Sequence, residues 1–187
     1  MRKDEELGRD LLSKFVIGRE APYVDREFTK FIGSYFSGRT DLIGLELGVW
    51  KGENAETICT YLGDKLKCLV LLDSWETSGE LREAQINHYL ETYFMFEGKA
   101  NVITVKGWSV LVSKLFGRIF DFIYVDGNHC YADFNMDLKS WYPLVKVGGV
   151  FGGHDYTQVK DALVNFFRDK PENYEVRELD WWIIKEE

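Results

Sequence analysis

Apolar positions along this chain fall into short runs separated by stretches of helical spacing. Strand-length apolar runs occupy 42–49, 67–73, 101–106, 120–126 and 147–153, and each is bounded by glycine, proline or charged residues. Between them the apolar residues recur at three and four. This predicts helices over Glu53–Leu62, Leu81–Phe96 and Val110–Phe116, one from Tyr131 that ends or kinks near Pro143, and one over Val159–Phe167. Gly63, Gly98 and Gly117 stand where the first three should stop. Ahead of the first run, residues 4–16 read as a short helix. A second helix begins at Pro22, with Phe28, Phe31, Ile32, Tyr35 and Phe36 at helical spacing, and ends at Gly38. Residues 174–179 and 181–185 are two last strands, too close in sequence to be anything but a hairpin. Strand and helix in alternation predict an α/β fold: a doubly wound, mostly parallel seven-stranded sheet with a C-terminal antiparallel hairpin. No repeat or linker divides the 187 residues, so one domain is expected, a helical cap over 1–38 on a core over 40–187.

Four of the strands run into an acid. Leu45 leads to Glu46 and Gly48, Leu72 to Asp73 and Ser74, Val125 to Asp126 and Gly127, and Phe151 to His154 and Asp155. In a parallel sheet these ends share one edge, where open α/β folds bind ligands. Glu46, Asp73, Asp126 and Asp155 should therefore gather around one crevice.

Charge and composition narrow what that crevice serves. A formal net charge of -8 argues against a non-specific nucleic-acid surface. No apolar run reaches the roughly 20 residues of a membrane helix, and the charged start Met1-Arg2-Lys3-Asp4-Glu5 is unlike a signal peptide. Cys59, Cys68 and Cys130, an odd and widely spaced set, read as reduced thiols packed as small hydrophobes in a cytoplasmic protein.

The turn Glu46-Leu47-Gly48-Val49-Trp50-Lys51-Gly52 follows a strand and precedes a helix. It lacks the middle glycine of a dinucleotide fingerprint and the Gly-Lys-Ser/Thr ending of a phosphate loop. Its acid would repel a pyrophosphate, so it fits a cationic, amino-acid-bearing ligand, or else is an ordinary strand-to-helix turn. Asp73 fits a ribose diol, although it lies further on than the usual spacing of about 20 residues; capping a loop with Ser74 is the plainer role. Trp108 could stack on an adenine or pack in the core. Ser109 could bond that adenine's edge or cap a helix. Asp126 and Asp155, at neighbouring strand ends, can hold a hard divalent cation, with His154 or Asn128 completing the set. His129, three residues after Asp126, is placed to act as a general base. Asp133 and Asp137 read as a solvated helix face, and His88 as structural.

Together, Glu46-x-Gly48, Asp73, Asp126-Gly-Asn-His129-x-Tyr131 and Gly148-Gly149-Val-x-Gly-Gly-His154-Asp155-Tyr156 resemble class I S-adenosylmethionine-dependent methyltransferases. The closer similarity is to small-molecule and sugar O-methyltransferases, including those acting on macrolide sugars, and it spans roughly residues 40–186. The resemblance implies a Rossmann-like fold and S-adenosyl-L-methionine as cofactor. Glu46, Gly48 and Gly52 would face its methionine part, Asp73 and Ser74 its ribose, and Trp108 and Ser109 its adenine, with Asp126 nearby. It further implies Mg²⁺ at Asp126 and Asp155, with His154 as a third ligand where catechol-type relatives carry Asp-Asn instead of Asp155-Tyr156. His129 and Asp126 would be catalytic, acting on a small-molecule or sugar acceptor. The aromatics Tyr23, Phe28, Trp75, Tyr89, Tyr93 and Phe94 are candidates to accommodate its ring, or pack the helices. A homodimer is compatible with the family, although no residue pattern specifies it. Three rivals remain: a base N-methyltransferase, which would carry an Asn/Asp-Pro-Pro-Tyr/Phe turn; an NAD-dependent oxidoreductase, which would carry Gly-x-Gly; and a catalytically silent binder of the same cofactor.

Overall fold

The alternating apolar runs build one sheet in the computed structural model, which describes residues 26–76, 79–169 and 173–186. Its strands are β1 (Leu42–Leu47), β2 (Leu66–Asp73), β3 (Val102–Lys106), β4 (Phe120–Val125), β5 (Val145–Gly153), β6 (Glu175–Arg177) and β7 (Asp180–Ile184). Their order is β3-β2-β1-β4-β5-β7-β6. The pairs among β1 to β5 are parallel, whereas β7 runs antiparallel to both β5 and β6. The chain reverses its winding between β1 and β4, so the C-terminal ends of those two strands flank the crevice of a doubly wound sheet.

Side chains alternate across the sheet, and each face is covered by helices. On one face Leu45, Leu47, Ile123 and Val125 pack against α5 (Tyr131–Trp141) and α6 (Tyr156–Phe167) through Phe134, Leu138, Trp141, Leu163 and Phe167. On the other, Leu69, Leu71, Phe122 and Tyr124 meet Phe28 and Ile32 of α1 (Glu27–Tyr35) and Ala55 and Ile58 of α2 (Glu53–Leu62). Each such fully buried side chain contributes about 1.5–3 kcal/mol relative to exposure. The two remaining helices are α3 (Arg82–Phe96) and the single short turn α4 (Ser109–Ser113).

Several boundaries move from their sequence-based positions. The helix expected from Pro22 begins at Glu27 where it is described; Pro22 and the helix expected over 4–16 lie outside the described residues. Tyr156 rather than Val159 opens α6, because Asp155 takes a left-handed backbone (φ 53°) that turns the chain directly into the helix. Strand β6 is only three residues long, since residues 178–179 form the hairpin turn. Helix α3 forms as expected but is weakly amphipathic: only Thr92 and Phe96 are buried, and Ile86 and Tyr93 stay exposed. The glycines of β5 do mark close approach, for a Cβ on Gly153 would lie 2.1 Å from the Val125 carbonyl oxygen. Among the described residues no helix is long and apolar enough to cross a membrane.

Candidate functional site

The turn after β1 is threaded between its neighbours. Gly48 N–H donates to the Leu72 carbonyl (3.0 Å) and Asp126 N–H to the Leu47 carbonyl (2.7 Å), which locks the ends of β1, β2 and β4 together. Gly48 has φ 78°, and a Cβ there would lie 2.1 Å from the Asp126 carbonyl oxygen. Backbone conformation and space both demand glycine. Gly48→Ala is expected to destabilise the fold by about 2–4 kcal/mol, read as a lower midpoint in chemical denaturation; an unchanged midpoint would contradict this packing. Gly52 (φ 84°) turns the chain into α2, and Trp50 between them holds φ 50°, a strained state for a bulky residue.

That strain is held in place by Asp73. One carboxylate oxygen accepts from the N–H groups of Val49 (2.8 Å) and Trp50 (2.9 Å), and the other from Trp75 N–H (2.7 Å). The Trp50 carbonyl in turn accepts from Trp75 Nε1 (2.7 Å) and Thr92 Oγ1 (2.9 Å). Asp73 thus organises the loop, and three of its about four acceptor positions are used. Ser74 Oγ accepts from Glu76 N–H (3.1 Å).

Glu46 points to the face opposite Leu45 and Leu47 and is 1 % exposed. Asn54 Nδ2 donates to its Oε1 (3.0 Å), while Oε2 is buried with no hydrogen-bond partner. Burial pushes the carboxyl up to about 8; the Asn54 bond opposes this and the Asp126 charge adds to it. An orphan carboxylate oxygen inside a protein is costly, and it is matched by a donor, best a cationic one.

Across β4 the second half of the crevice is a cluster of charges. Ligand atoms of Asp126, His154 and Asp155 all lie within 4.8 Å of one another. His129 Nε2 sits 3.1 Å from Asp155 Oδ2 and 3.8 Å from Asp126 Oδ1, without hydrogen-bond alignment to either. Asp126 and, behind it, Asp155 raise the imidazole's pKa, and burial opposes them. His154 Nδ1 is 3.2 Å from Asp155 Oδ2, and the backbone N–H of His154 donates to the Val125 carbonyl (3.1 Å). One further residue enters that no motif signalled: Arg26 donates through one guanidinium nitrogen to His154 Nε2 and sets the other 3.6 Å from Asp126 Oδ2. Beneath them Asp180, 2 % exposed, accepts from Phe28 N–H and Tyr124 Oη, both at 2.9 Å, and tethers the start of α1 to the site; burial raises its carboxyl.

The structure brings Glu46, Gly48, Asp73 and Asp126 to one sheet edge and gathers His129, His154 and Asp155 beside Asp126. Trp108 follows directly on Gly107, whose N–H bonds the Asp73 carbonyl (2.9 Å), and its indole is 60 % exposed, which removes core packing as its role. Ser109 is turned away from the edge: its hydroxyl donates to Asp137 and accepts from Trp141 Nε1 (2.7 Å). Asp137 is accordingly a correction. It is buried rather than solvated, and burial lifts its carboxyl to about 6 against the Ser109 bond. Asn128 is committed to Cys130 N–H and Asp133 and does not face the cation cluster. Cys130 is exposed, not packed inside. Phe28 and Trp75 are core residues rather than acceptor contacts. His88 lies edge-on to Trp50, with ring centroids 5.3 Å apart. Tyr23 lies outside the described residues.

Residues 45–156 match the family described as methyltransferase domain. No curated protein matches the chain. Among solved structures, the SAH-bound methyltransferase PaMTH1 of Podospora anserina is 14% identical with a TM-score of 0.66, covering 99% of this chain and 96% of its own. The O-methyltransferase NovP is 17% identical with a TM-score of 0.60, at 86% and 79% coverage. MycE methyltransferase of mycinamycin biosynthesis, in complex with Mg, SAH and mycinamycin VI, is 14% identical with a TM-score of 0.58. That match covers 85% of this chain and only 48% of MycE. At such identities the likeness is one of fold.

Proposed function

The chain belongs to the methyltransferase domain family, and from that membership we propose that it transfers the methyl group of S-adenosylmethionine to a hydroxyl of a small molecule or sugar, assisted by a divalent cation. The observation that carries the reading is Glu46: a buried carboxyl with one oxygen unpartnered, at the end of β1 beside the glycine turn that leads into α2. A cationic amino-acid group is the ligand part that satisfies it. The residues fit both absent groups, since Asp126, His154 and Asp155 form a hard, mostly oxygen donor set.

In this reading Glu46 Oε2 accepts from the cofactor's ammonium. Asp73 has an acceptor position left for a ribose hydroxyl, and the exposed Trp108 indole offers a face to the adenine. S-adenosylmethionine supplies a methyl group already activated on its sulfonium, so the protein's task is chiefly to bring donor and acceptor into line. A divalent cation held by Asp126, Asp155 and His154 would supply Lewis acidity toward the acceptor hydroxyl. His129 takes that hydroxyl's proton at Nε2, the ring nitrogen that has no hydrogen-bond partner here. The Mg and mycinamycin VI bound by MycE support the cation and the kind of acceptor.

The test is calorimetric titration with S-adenosylhomocysteine, followed by methyl transfer from labelled S-adenosylmethionine to a panel of phenols and glycosides with and without Mg²⁺. Binding and Mg²⁺-stimulated O-methylation are expected. Failure of the folded protein to bind S-adenosylhomocysteine would overturn the cofactor assignment. Binding without transfer to any acceptor would instead mark a silent binder.

A further inference from the structure

Asp126, His154 and Asp155 bring ligand atoms within 4.8 Å of one another, an arrangement that attracts a cation. The structure already contains one. Arg26 places a guanidinium nitrogen 3.6 Å from Asp126 Oδ2 and donates through another to His154 Nε2. We propose that the Arg26 guanidinium is the resident counter-cation of the Asp126–His154–Asp155 cluster, and that a divalent cation binds there only when Arg26 withdraws. This rests on the cation-assisted part of the function proposed above.

Proton positions give the first argument. A guanidinium carries only donors, so the His154 nitrogen facing it must be an acceptor. With Nε2 unprotonated, the neutral ring carries its proton on Nδ1, the nitrogen 3.2 Å from Asp155 Oδ2 and 4.0 Å from Asp126 Oδ1. That is the nitrogen a cation between the two carboxylates would have to ligate, and a metal ligand must be unprotonated. Moving the proton to Nε2 points an N–H at Arg26, so metal ligation and the Arg26 contact exclude each other at this one ring. Charge is the second argument, because guanidinium and metal compete for the same Asp126 carboxylate. The third is how loosely Arg26 is held. Its Nε is buried without an acceptor, and its separation from Asp126 exceeds a direct hydrogen bond. Among the described residues it makes no bidentate fork. Arg26 immediately precedes α1 on extended backbone (φ −108°, ψ 128°), so its side chain can leave without unwinding the helix.

The experiment titrates Mn²⁺ into the full chain and into Arg26→Met, which keeps much of the aliphatic stem. Free Mn²⁺ is followed by electron paramagnetic resonance, and S-adenosylhomocysteine affinity is measured in parallel without metal. Arg26→Met is expected to bind Mn²⁺ at least about tenfold more tightly while S-adenosylhomocysteine affinity stays within a few-fold, and Asp126→Asn is expected to abolish Mn²⁺ binding. Equal or weaker Mn²⁺ binding by Arg26→Met overturns the proposal. If neither protein takes Mn²⁺ while both bind S-adenosylhomocysteine, the cation-assisted reading fails and this proposal with it, leaving the cofactor assignment standing. A second measurement needs no variant: long-range ¹⁵N–¹H spectra of the wild-type histidines. His154 is expected as the Nδ1–H tautomer without metal, shifting to Nε2–H at saturating Mg²⁺. An Nε2–H ring before metal is added overturns the proposal directly.

Discussion

Asp126→Asn is expected to lower kcat by about a hundred- to ten-thousand-fold while S-adenosylhomocysteine affinity stays within a few-fold. The substitution preserves shape, and the side chain is about one-fifth exposed, so the fold has little reason to respond. What changes is charge. Asp126 is the largest influence raising the His129 imidazole's basicity, and it is one of the two carboxylates able to hold a cation. Asparagine removes both contributions at once. Cofactor binding is less exposed to the change, since the Asp126 side chain makes no hydrogen bond to Glu46 and acts on it as a like charge that raises its carboxyl. Removing that charge makes Glu46 easier to ionise, which favours a cationic ligand. The expected signature is therefore a collapse in kcat with cofactor affinity held or slightly improved. A folded variant with full activity would remove Asp126, and the cluster built on it, from the chemistry.

The strands were legible because their apolar runs end on glycine or an acid, a pattern that depends on local residues alone. From Leu42 to Val125 every strand and helix lies within a few residues of its expected place. Glu46, Asp73, Asp126 and Asp155 converge for the same reason, because parallel strands put their C-terminal ends on one edge. The unread parts depend on long-range contact. Arg26 lies before the core and belongs to no motif, and it reaches His154 through long-range contacts of α1, the packing of Phe28 and Ile32 on the sheet and the tether from Phe28 N–H to Asp180. An aspartate on a helix reads as a surface residue, but Asp137 shares the buried face of α5 with Phe134, Leu138 and Trp141, and Ser109 at the β3–α4 turn bonds it there. The strain at Trp50 was invisible too, since it follows from three N–H groups meeting the two oxygens of Asp73.

Glu46→Gln is expected to weaken S-adenosylhomocysteine binding by about ten- to hundredfold, and to abolish a proton release that accompanies binding to the wild type. In the ligand-free protein burial holds the Glu46 carboxyl at about 8, so at pH 7 it is mostly protonated. The ligand's ammonium favours the carboxylate and pulls that value down, so a proton leaves on binding. Affinity should then rise with pH between about 6 and 7.5. Calorimetry at pH 7 in buffers of contrasting ionisation enthalpy measures the released proton directly, and wild-type binding with no proton exchanged would show that Glu46 does not face the ammonium. The same group makes a statement about stability. Its carboxyl is raised from 4.5 to about 8 in the folded chain, so through that window the unfolded chain holds fewer protons than the folded one. The Glu46 contribution to the stability of the ligand-free protein is therefore fullest below 4.5, falls as pH rises toward 8, and levels off above. Glutamine has no proton to lose, so the variant's denaturation midpoint should decline less steeply across this window than the wild type's, the buried Asp137 carboxyl still contributing to both. Bound ligand should flatten the wild-type curve in the same way, because it supplies the partner that Oε2 lacks.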